Sequence, residues 1–182
     1  MSRKKILAIS GSTRKSSSNE NILRFIAKTY AQWLEVDLYL EIAQLPHFAS
    51  DADENELPDA VRNFRRRIER ADGVLFCSPE YVYSLPGSLK NAIEWTVSTT
   101  LFSNKPVGMI IAAASGEKAL ESLHLIMTTI ESVVDKEATL LIKGVRGKID
   151  GEGQINDSMV RKEIDTVVQS LMRTIDGKGS TE

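Results

Sequence analysis

The sequence predicts an α/β protein built on a doubly wound, five-stranded parallel sheet with helices on both faces. Five short apolar segments alternate with five longer segments whose apolar residues recur at helical spacing. No repeat or shift in composition divides the 182 residues, so residues 1–175 are predicted to form one domain and residues 176–182 a polar tail. Polar loops follow the first, third and fourth apolar segments, and ligands bind at this edge of such sheets.

The amino-terminal part of the chain predicts a strand, a polar loop and a helix. Residues 6–9 are apolar without alternation, as in a strand that is covered on both faces. Residues 20–33 predict the helix, and Ser17 and Glu20 have the spacing of a capping box before it, with Asn19 as an alternative cap. Four residues are predicted to share the buried stripe of this helix: Ile22, Ile26, Tyr30 and Trp33.

The remaining segments continue the same alternation. The other four strands are predicted at residues 36–40, 74–77, 106–114 and 138–142. The other four helices are predicted at residues 58–70, 86–97, 118–134 and 158–175. Prolines open the first two of these helices, Val97 closes the apolar stripe of the second, and Asp157 is a plausible cap for the last.

The composition excludes several classes of partner. The formal net charge of −2 lacks the basic excess that a general nucleic-acid or anionic-membrane binder needs. The single cysteine, Cys77, excludes an intrachain disulfide, and it lies in an apolar segment as a predicted core residue. The apolar run that follows Met1 is too short for a signal peptide or a membrane span, so a cytoplasmic protein is expected.

The first polar loop, residues 10–19, has the composition of a phosphate-binding loop. It lies between a strand and a helix, so main-chain N–H groups and the positive end of the helix dipole converge there. Arg14 adds a fork of donors, and several serines add hydroxyl groups. The alternative is a flexible polar turn with a good helix cap.

The second and third polar loops are predicted to reach the same edge. In residues 78–87, two prolines stiffen the chain, and the rings of Tyr81 and Tyr83 are placed to form one side of a site for an aromatic ligand. The alternative is a proline-bounded turn whose tyrosines pack on the core. With residues 114–117, these loops meet in a flavodoxin-like strand order, which indicates a small anionic ligand with a flat body.

Two motifs resemble those of the NADPH-dependent FMN reductase family, which includes quinone, chromate and azo-dye reductases. Residues 11–19, GSTRKSSSN, resemble its phosphate loop, G-S-x-R-x-x-S-x-N. Residues 79–95, PEYVYSLPGSLKNAIEW, are similar to its second signature, P-E-Y-N-x-S-x-P-G-x-L-K-N-A-I-D-W. The motifs keep their order and approximate spacing, and the length and element order fit the family up to the polar tail.

This resemblance implies a flavodoxin-like fold, bound FMN, and NADPH or NADH as co-substrate. It also implies homodimers or homotetramers, with residues 86–97 and Trp95 near a subunit interface. The phosphate would be held by side chains of Ser12, Arg14, Ser17 and Asn19, with main-chain groups near Ser10 and Ser18. The flavin ring would lie along Pro79, Glu80, Tyr81 and Val82, and Ser115 and Gly116 would close its other side.

Three features depart from the family pattern. Val82 stands where an asparagine is usual, so only its main chain is left to contact the ring. Ser16 replaces a glycine of the first loop. Glu117 and Lys118 follow the third loop in place of smaller residues, where a charge is expected to shift the reduction potential of the ring or to obstruct nicotinamide stacking.

The implied chemistry needs no acid or base from the protein, so no catalytic side chain is assigned, and Glu80 is expected to point away from the ring or to make a structural contact. No metal site is predicted. Residues 150–156 alternate oxygen ligands like the start of an EF-hand loop, but Ile155 and Arg161 occupy its glycine and closing glutamate positions.

The leading hypothesis is therefore an FMN-dependent NAD(P)H oxidoreductase that passes electrons to quinone-like or other small acceptors. The alternative is an FMN-binding electron carrier without turnover. A phosphoryl-handling hydrolase is disfavoured, because the first loop lacks a nucleophilic cysteine and the chain lacks the G-x-x-x-x-G-K-[ST] pattern.

Overall fold

The structure, a computed structural model, describes residues 2–53, 55–149 and 153–177. Its centre is a parallel sheet of five strands in the order β2-β1-β3-β4-β5. The strands are β1 (Lys4–Ser10), β2 (Leu34–Tyr39), β3 (Gly73–Ser78), β4 (Val107–Ala113) and β5 (Thr139–Lys143). This flavodoxin-like order reverses between β1 and β3, which confirms the predicted fold class and places a crevice at their carboxyl ends.

Five α-helices connect and cover the strands. They are α1 (Ser18–Thr29), α2 (Asp59–Arg70), α3 (Gly87–Glu94), α4 (Glu117–Thr129) and α5 (Ser158–Ile175). Ser17 caps α1 and Asp157 caps α5 through their side-chain oxygens, and Pro58 and Pro86 directly precede α2 and α3. The predicted start signals are therefore confirmed within one or two residues.

The sheet separates two hydrophobic cores, as successive side chains of a buried strand point to opposite faces. On one face, α2, α3 and α4 pack against the sheet through residues such as Phe64 and Leu89. On the other face, α1 and α5 pack through residues such as Ile22 and Ile164. Cys77 lies fully buried in this second core, so the prediction of a core thiol is confirmed.

The first helix ends earlier than predicted. It stops at Thr29, and Trp33 lies outside it with 52% of its surface exposed, so its assignment to the buried stripe is wrong. The reason is tertiary: the chain turns after Tyr30 to lay β2 beside β1, and the carbonyl of Trp33 accepts a hydrogen bond from the N–H of Lys4. That turn directs the indole outward.

Two further helices also end early. In α3 the last helical residue is Glu94, and the Thr96 and Thr99 hydroxyls donate to main-chain carbonyls three residues back, which offers the chain an alternative to helix. Val97 is consequently exposed and not on a buried stripe. Likewise α4 ends at Thr129 instead of residue 134, because Glu131 adopts a left-handed conformation.

Trp95 belongs to the core of its own chain. It is buried, its indole Nε1 donates to the carbonyl of Pro46 at 2.8 Å, and its ring meets Phe48 edge-on with centroids 5.3 Å apart. Its side chain therefore packs inside its own chain, and the expectation that residues 86–97 lie near a subunit interface stays a prediction.

Membrane-spanning helices and metal-binding groups are both absent from the described residues. No helix in that part of the chain combines the length and apolarity needed to cross a membrane. Within the same ranges, no group of three acidic, histidine or cysteine side chains is arranged to hold a metal ion. The EF-hand-like pattern lies partly outside them, since residues 150–152 are not described.

Candidate functional site

A cavity of about 450 Å³ opens at the carboxyl edge of the sheet, where the loops after β1, β3, β4 and β5 meet. Its lining residues come from these four loops, from the end of β4 and from the first turn of α1. They are Ser12, Arg14, Ser17, Ser18, Asn19, Pro79, Glu80, Tyr81, Ala112, Ala113, Ala114, Gly144, Val145 and Arg146. Its volume lies within the range of small-molecule and cofactor sites, about 300–1,000 Å³.

The first turn of α1 presents main-chain donors to this cavity. Ser17 Oγ accepts the N–H of Glu20 at 3.1 Å, and the first intrahelical bond runs from Asn21 to the Ser17 carbonyl. Glu20 in turn accepts the N–H of Ser16 at 2.9 Å. The N–H groups of Ser18 and Asn19 stay available, because the first donors of a helix have no intrahelical partner. They can bind an anion at the positive end of the helix.

Not every polar side chain of this loop is available to a ligand. Ser10 Oγ is buried and exchanges hydrogen bonds of 3.3 Å with the main chain of Ser12. The amide of Asn19 ties α1 to the sheet: its Nδ2 donates to Ala112 and its Oδ1 accepts from the Cys77 thiol, both at 3.3 Å. Burial raises the pKa of that thiol, so Cys77 is a structural donor and not a nucleophile.

Two arginines line the cavity, and neither has a side-chain partner in the part of the chain that the structure describes. Among the described residues, neither Arg14 nor Arg146 makes a hydrogen bond or an ion pair through its guanidinium. Both are exposed, so their charge is free to meet an anion. Paired guanidinium donors beside a helix N-terminus suit a phosphate or a carboxylate.

The loop after β3 forms a tight hairpin turn at the rim. Tyr81 and Ser84 exchange two main-chain hydrogen bonds of 3.0 Å, and the two residues between them, Val82 and Tyr83, have φ angles of 50° and 55°. Such a turn normally holds asparagine and glycine. Tyr81 is 51% and Tyr83 80% exposed, so the alternative in which the tyrosines pack on the core is wrong.

Replacing Val82 with asparagine is expected to raise the free energy of unfolding by about 1 kcal/mol. A β-branched residue is strained in the left-handed region, which asparagine tolerates, and the 96% exposed Val82 side chain gives up no packing. Urea denaturation measures the change. Val97→Asn is the control, because this exposed valine has no positive φ. Equal shifts in both variants would show that polarity and not strain is responsible.

Glu80 joins the second loop to the third. Its Oε2 accepts the N–H of Ala119 in the first turn of α4 at 3.0 Å. The N-cap of α4 is Gly116, which has no side chain, so Glu80 provides the cap from a different loop. This contact bears out the structural role expected for Glu80, although the residue also lines the cavity.

The charges of the third loop are neutralised in pairs. Lys143 binds the carboxylate of Glu117 and holds its pKa below the usual range. Lys118 binds Glu121 at 2.7 Å, and this carboxylate raises the pKa of the ammonium. Both pairs are solvent-exposed. Each of the two charges that the sequence predicted beside the ring, Glu117 and Lys118, is therefore balanced by a residue of opposite charge.

A smaller cavity of about 240 Å³ adjoins the first one and is lined by Glu80, Val82, Tyr83, Ala113, Ala114 and Ser115. Val82 and Ser115 therefore line this second cavity and not the first one. Ser10 and Gly116 line neither cavity. Ser10 lies beneath the first loop, and Gly116 is buried at the start of α4.

The sequence-based reasoning missed the end of β4 and the loop after β5. Ala112, Gly144, Val145 and Arg146 all line the main cavity. The loop after β5 could have been predicted to reach the cavity, because the carboxyl end of the fifth parallel strand lies at the same edge as those of the other four. The loop lacks the concentration of hydroxyl groups that drew attention to residues 10–19.

Comparison with known proteins agrees with this geometry. The sequence profile described as NADPH-dependent FMN reductase matches residues 4–145. An NAD(P)H-dependent FMN reductase from Pseudomonas aeruginosa is 32% identical over 173 residues, which cover 92% of each protein. An NADPH:quinone oxidoreductase from Arabidopsis thaliana is 30% identical over 176 residues, covering 92% of this chain and 89% of the relative.

Among solved structures, the flavoenzyme NAD(P)H:(acceptor) oxidoreductase FerB from Paracoccus denitrificans superposes with a TM-score of 0.85 at 27% identity. The superposition covers 97% of this chain and 100% of that one. The similarity therefore extends over nearly the whole chain.

Proposed function

The chain belongs to the NADPH-dependent FMN reductase family, and from this premise we propose that the cavity beside Arg14 is its FMN site. Because the chain belongs to this family and resembles its NAD(P)H-dependent reductases, the protein is an FMN-dependent NAD(P)H oxidoreductase. The observation that supports the placement is the convergence of an unpaired guanidinium, two free main-chain donors and a cavity of fitting volume at one helix start.

At the phosphate end, side chains and main chain have distinct roles. Arg14, Ser12 and Ser17 line the cavity together with the first turn of α1, and the two hydroxyl oxygens accept the main-chain N–H groups of Arg14 and Glu20. We assign phosphate binding to Arg14 and to the main-chain N–H groups of Ser18 and Asn19. The amide of Asn19 instead holds α1 against β4, so it positions these donors.

At the ring end, we assign the contacts to Pro79, Glu80, Tyr81 and Val82 on one side and to Ser115 on the other. Gly116, which lines neither cavity, would shape the turn that places Ser115 before α4. Bound FMN supplies the hydride and electron chemistry, and the protein holds the ring and leaves one face open. Glu80 ties the two walls together through α4, so its carboxylate is occupied and is not a general acid.

The electron acceptor is proposed to be a quinone-like small molecule. Named relatives include a 2-hydroxy-1,4-benzoquinone reductase from Burkholderia, 31% identical over 169 residues. The half-exposed Tyr81 and the exposed Tyr83 stand at the mouth of the cavity, where a flat acceptor would approach the ring. We further propose a cytoplasmic homodimer or homotetramer in which residues 1–175 form one FMN-binding domain.

The test is a fluorescence titration of the full-length protein with FMN, followed by anaerobic addition of NADPH and then of a benzoquinone. We expect quenching of flavin fluorescence, bleaching of the bound flavin by NADPH, and reoxidation by the quinone. The same series with NADH shows which nicotinamide the protein prefers.

Each step of this experiment has a result that would contradict one part of the proposal. Absence of FMN binding would reject the site. Binding without bleaching by either nucleotide would make the protein an electron carrier. Bleaching without reoxidation by the quinone would leave the reductase activity in place and reject only the proposed acceptor class.

A further inference from the structure

We propose that Arg146, in the loop after β5, is a second guanidinium that binds the phosphate of FMN. This inference rests on the proposed function, since it assumes that FMN occupies the cavity. It assigns a ligand role to a loop outside both sequence motifs.

The placement of Arg146 is fixed by its neighbours. Gly144 has a φ of 61° and turns the chain at the end of β5 into a short 3₁₀-helix, Val145–Gly147. Val145 is buried in the core that also contains Ile22 and Leu23 of α1. This anchor brings the loop against the face on which α1 lies, so Arg146 lines the cavity on the side of the phosphate loop.

The charge balance calls for a second cation. A phosphate monoester carries about −1.5 to −2 charges at pH 7. Arg14 supplies one positive charge, and the helix N-terminus supplies about half of one. The acid that lines the cavity, Glu80, already accepts a hydrogen bond from Ala119. Together these give about +1.5, which leaves up to about half a negative charge unbalanced, and a guanidinium from the loop after β5 would cover that remainder.

The two arginines are also independent of each other. Arg14 follows β1 and Arg146 follows β5, so they approach the cavity from different strands. Within the described ranges, Arg146 has no protein acceptor that must be given up before it binds a ligand. An exposed, unpaired guanidinium beside a binding cavity is therefore ready to close onto an anion.

The test compares FMN with riboflavin, which has the same ring and no phosphate. In fluorescence titrations of the full-length protein, Arg146→Ala is expected to raise the Kd for FMN about three- to tenfold and to change that for riboflavin less than about twofold. Arg146→Lys should recover part of the loss. Combining Arg146→Ala with Arg14→Ala should abolish most of the preference for FMN over riboflavin.

Arg66→Ala is the control for the change in net charge, because Arg66 lies on α2, away from the cavity, and its guanidinium donates to Asn63 Oδ1 on the same helix. Equal weakening of FMN and riboflavin by Arg146→Ala would show that the residue supports the loop and would overturn the proposal. An unchanged Kd for FMN with a raised KM for NADPH but not NADH would overturn it by assigning Arg146 to the nucleotide co-substrate. If the wild type binds neither flavin, the proposed function itself fails, which is a different result.

Discussion

Arg14→Ala is expected to raise the Kd for FMN roughly 10- to 100-fold while leaving the Kd for riboflavin within about twofold. A charge-assisted hydrogen bond contributes about 1.5–3 kcal/mol, and each 1.4 kcal/mol is about tenfold in affinity. Arg14 lines the cavity and has no described acceptor for its side chain, so its removal leaves no protein group unsatisfied. Fluorescence titration with the two flavins measures both constants.

Lys15→Ala is the matched control for this prediction. Lys15 is the next residue of the same exposed loop, bears the same charge and does not line the cavity. We expect its FMN affinity to stay within about twofold of the wild type at physiological salt, where exposed charges are screened beyond about 8 Å. Comparable losses in the two variants would reduce the role of Arg14 to general electrostatic attraction.

Gly116→Ala is expected to lower the free energy of unfolding by about 2–6 kcal/mol. Gly116 has a φ of 112°, which a side chain strains, and an added Cβ would lie 2.6 Å from Leu141 Cδ1 and 2.9 Å from Ile111 Cγ2. Backbone strain and overpacking each cost about 1–3 kcal/mol. Urea denaturation of the variant measures the sum.

Two other glycines separate these contributions. At Gly144 a φ of 61° is combined with open space around an added Cβ, so Gly144→Ala is expected to show the backbone strain alone. Gly87 has neither a positive φ nor a close neighbour, and as the first residue of α3 it should tolerate alanine with no loss of stability. A loss for Gly116→Ala no larger than that for Gly144→Ala would show that Leu141 and Ile111 move aside.

The departures from the family motifs have a shared structural basis. Ser16 and Val82 replace glycine and asparagine, and both have positive φ angles, of 52° and 50°. Glycine and asparagine are the residues that best tolerate this region. The chain therefore keeps the main-chain path of the motifs with less suitable residues, which locates strain at both ends of the candidate flavin site.

Local pattern alone determined most of the architecture. Apolar periodicity predicted the five strands and five α-helices of the described residues but none of the short 3₁₀-helices, because a buried strand and an amphipathic α-helix each repeat with the geometry of their own backbone. Ser17 and Asp157 predicted helix starts, because a cap forms between residues that are neighbours in sequence. Two motifs were enough to indicate the family, which the match over residues 4–145 confirms, and to propose the first loop as the place of the phosphate.

Only the tertiary structure decided which loop residues hold the fold together and which line the cavity. Trp33 leaves its predicted helix because β2 must pair with β1, and Asn19 is drawn into bonds with Ala112 and Cys77. Glu80 caps a helix 39 residues away, and Arg146 enters the cavity from the far strand. These are contacts between residues distant in sequence. Sequence periodicity cannot predict these long-range contacts, because they form only when the parallel strands bring their carboxyl ends to one edge of the sheet.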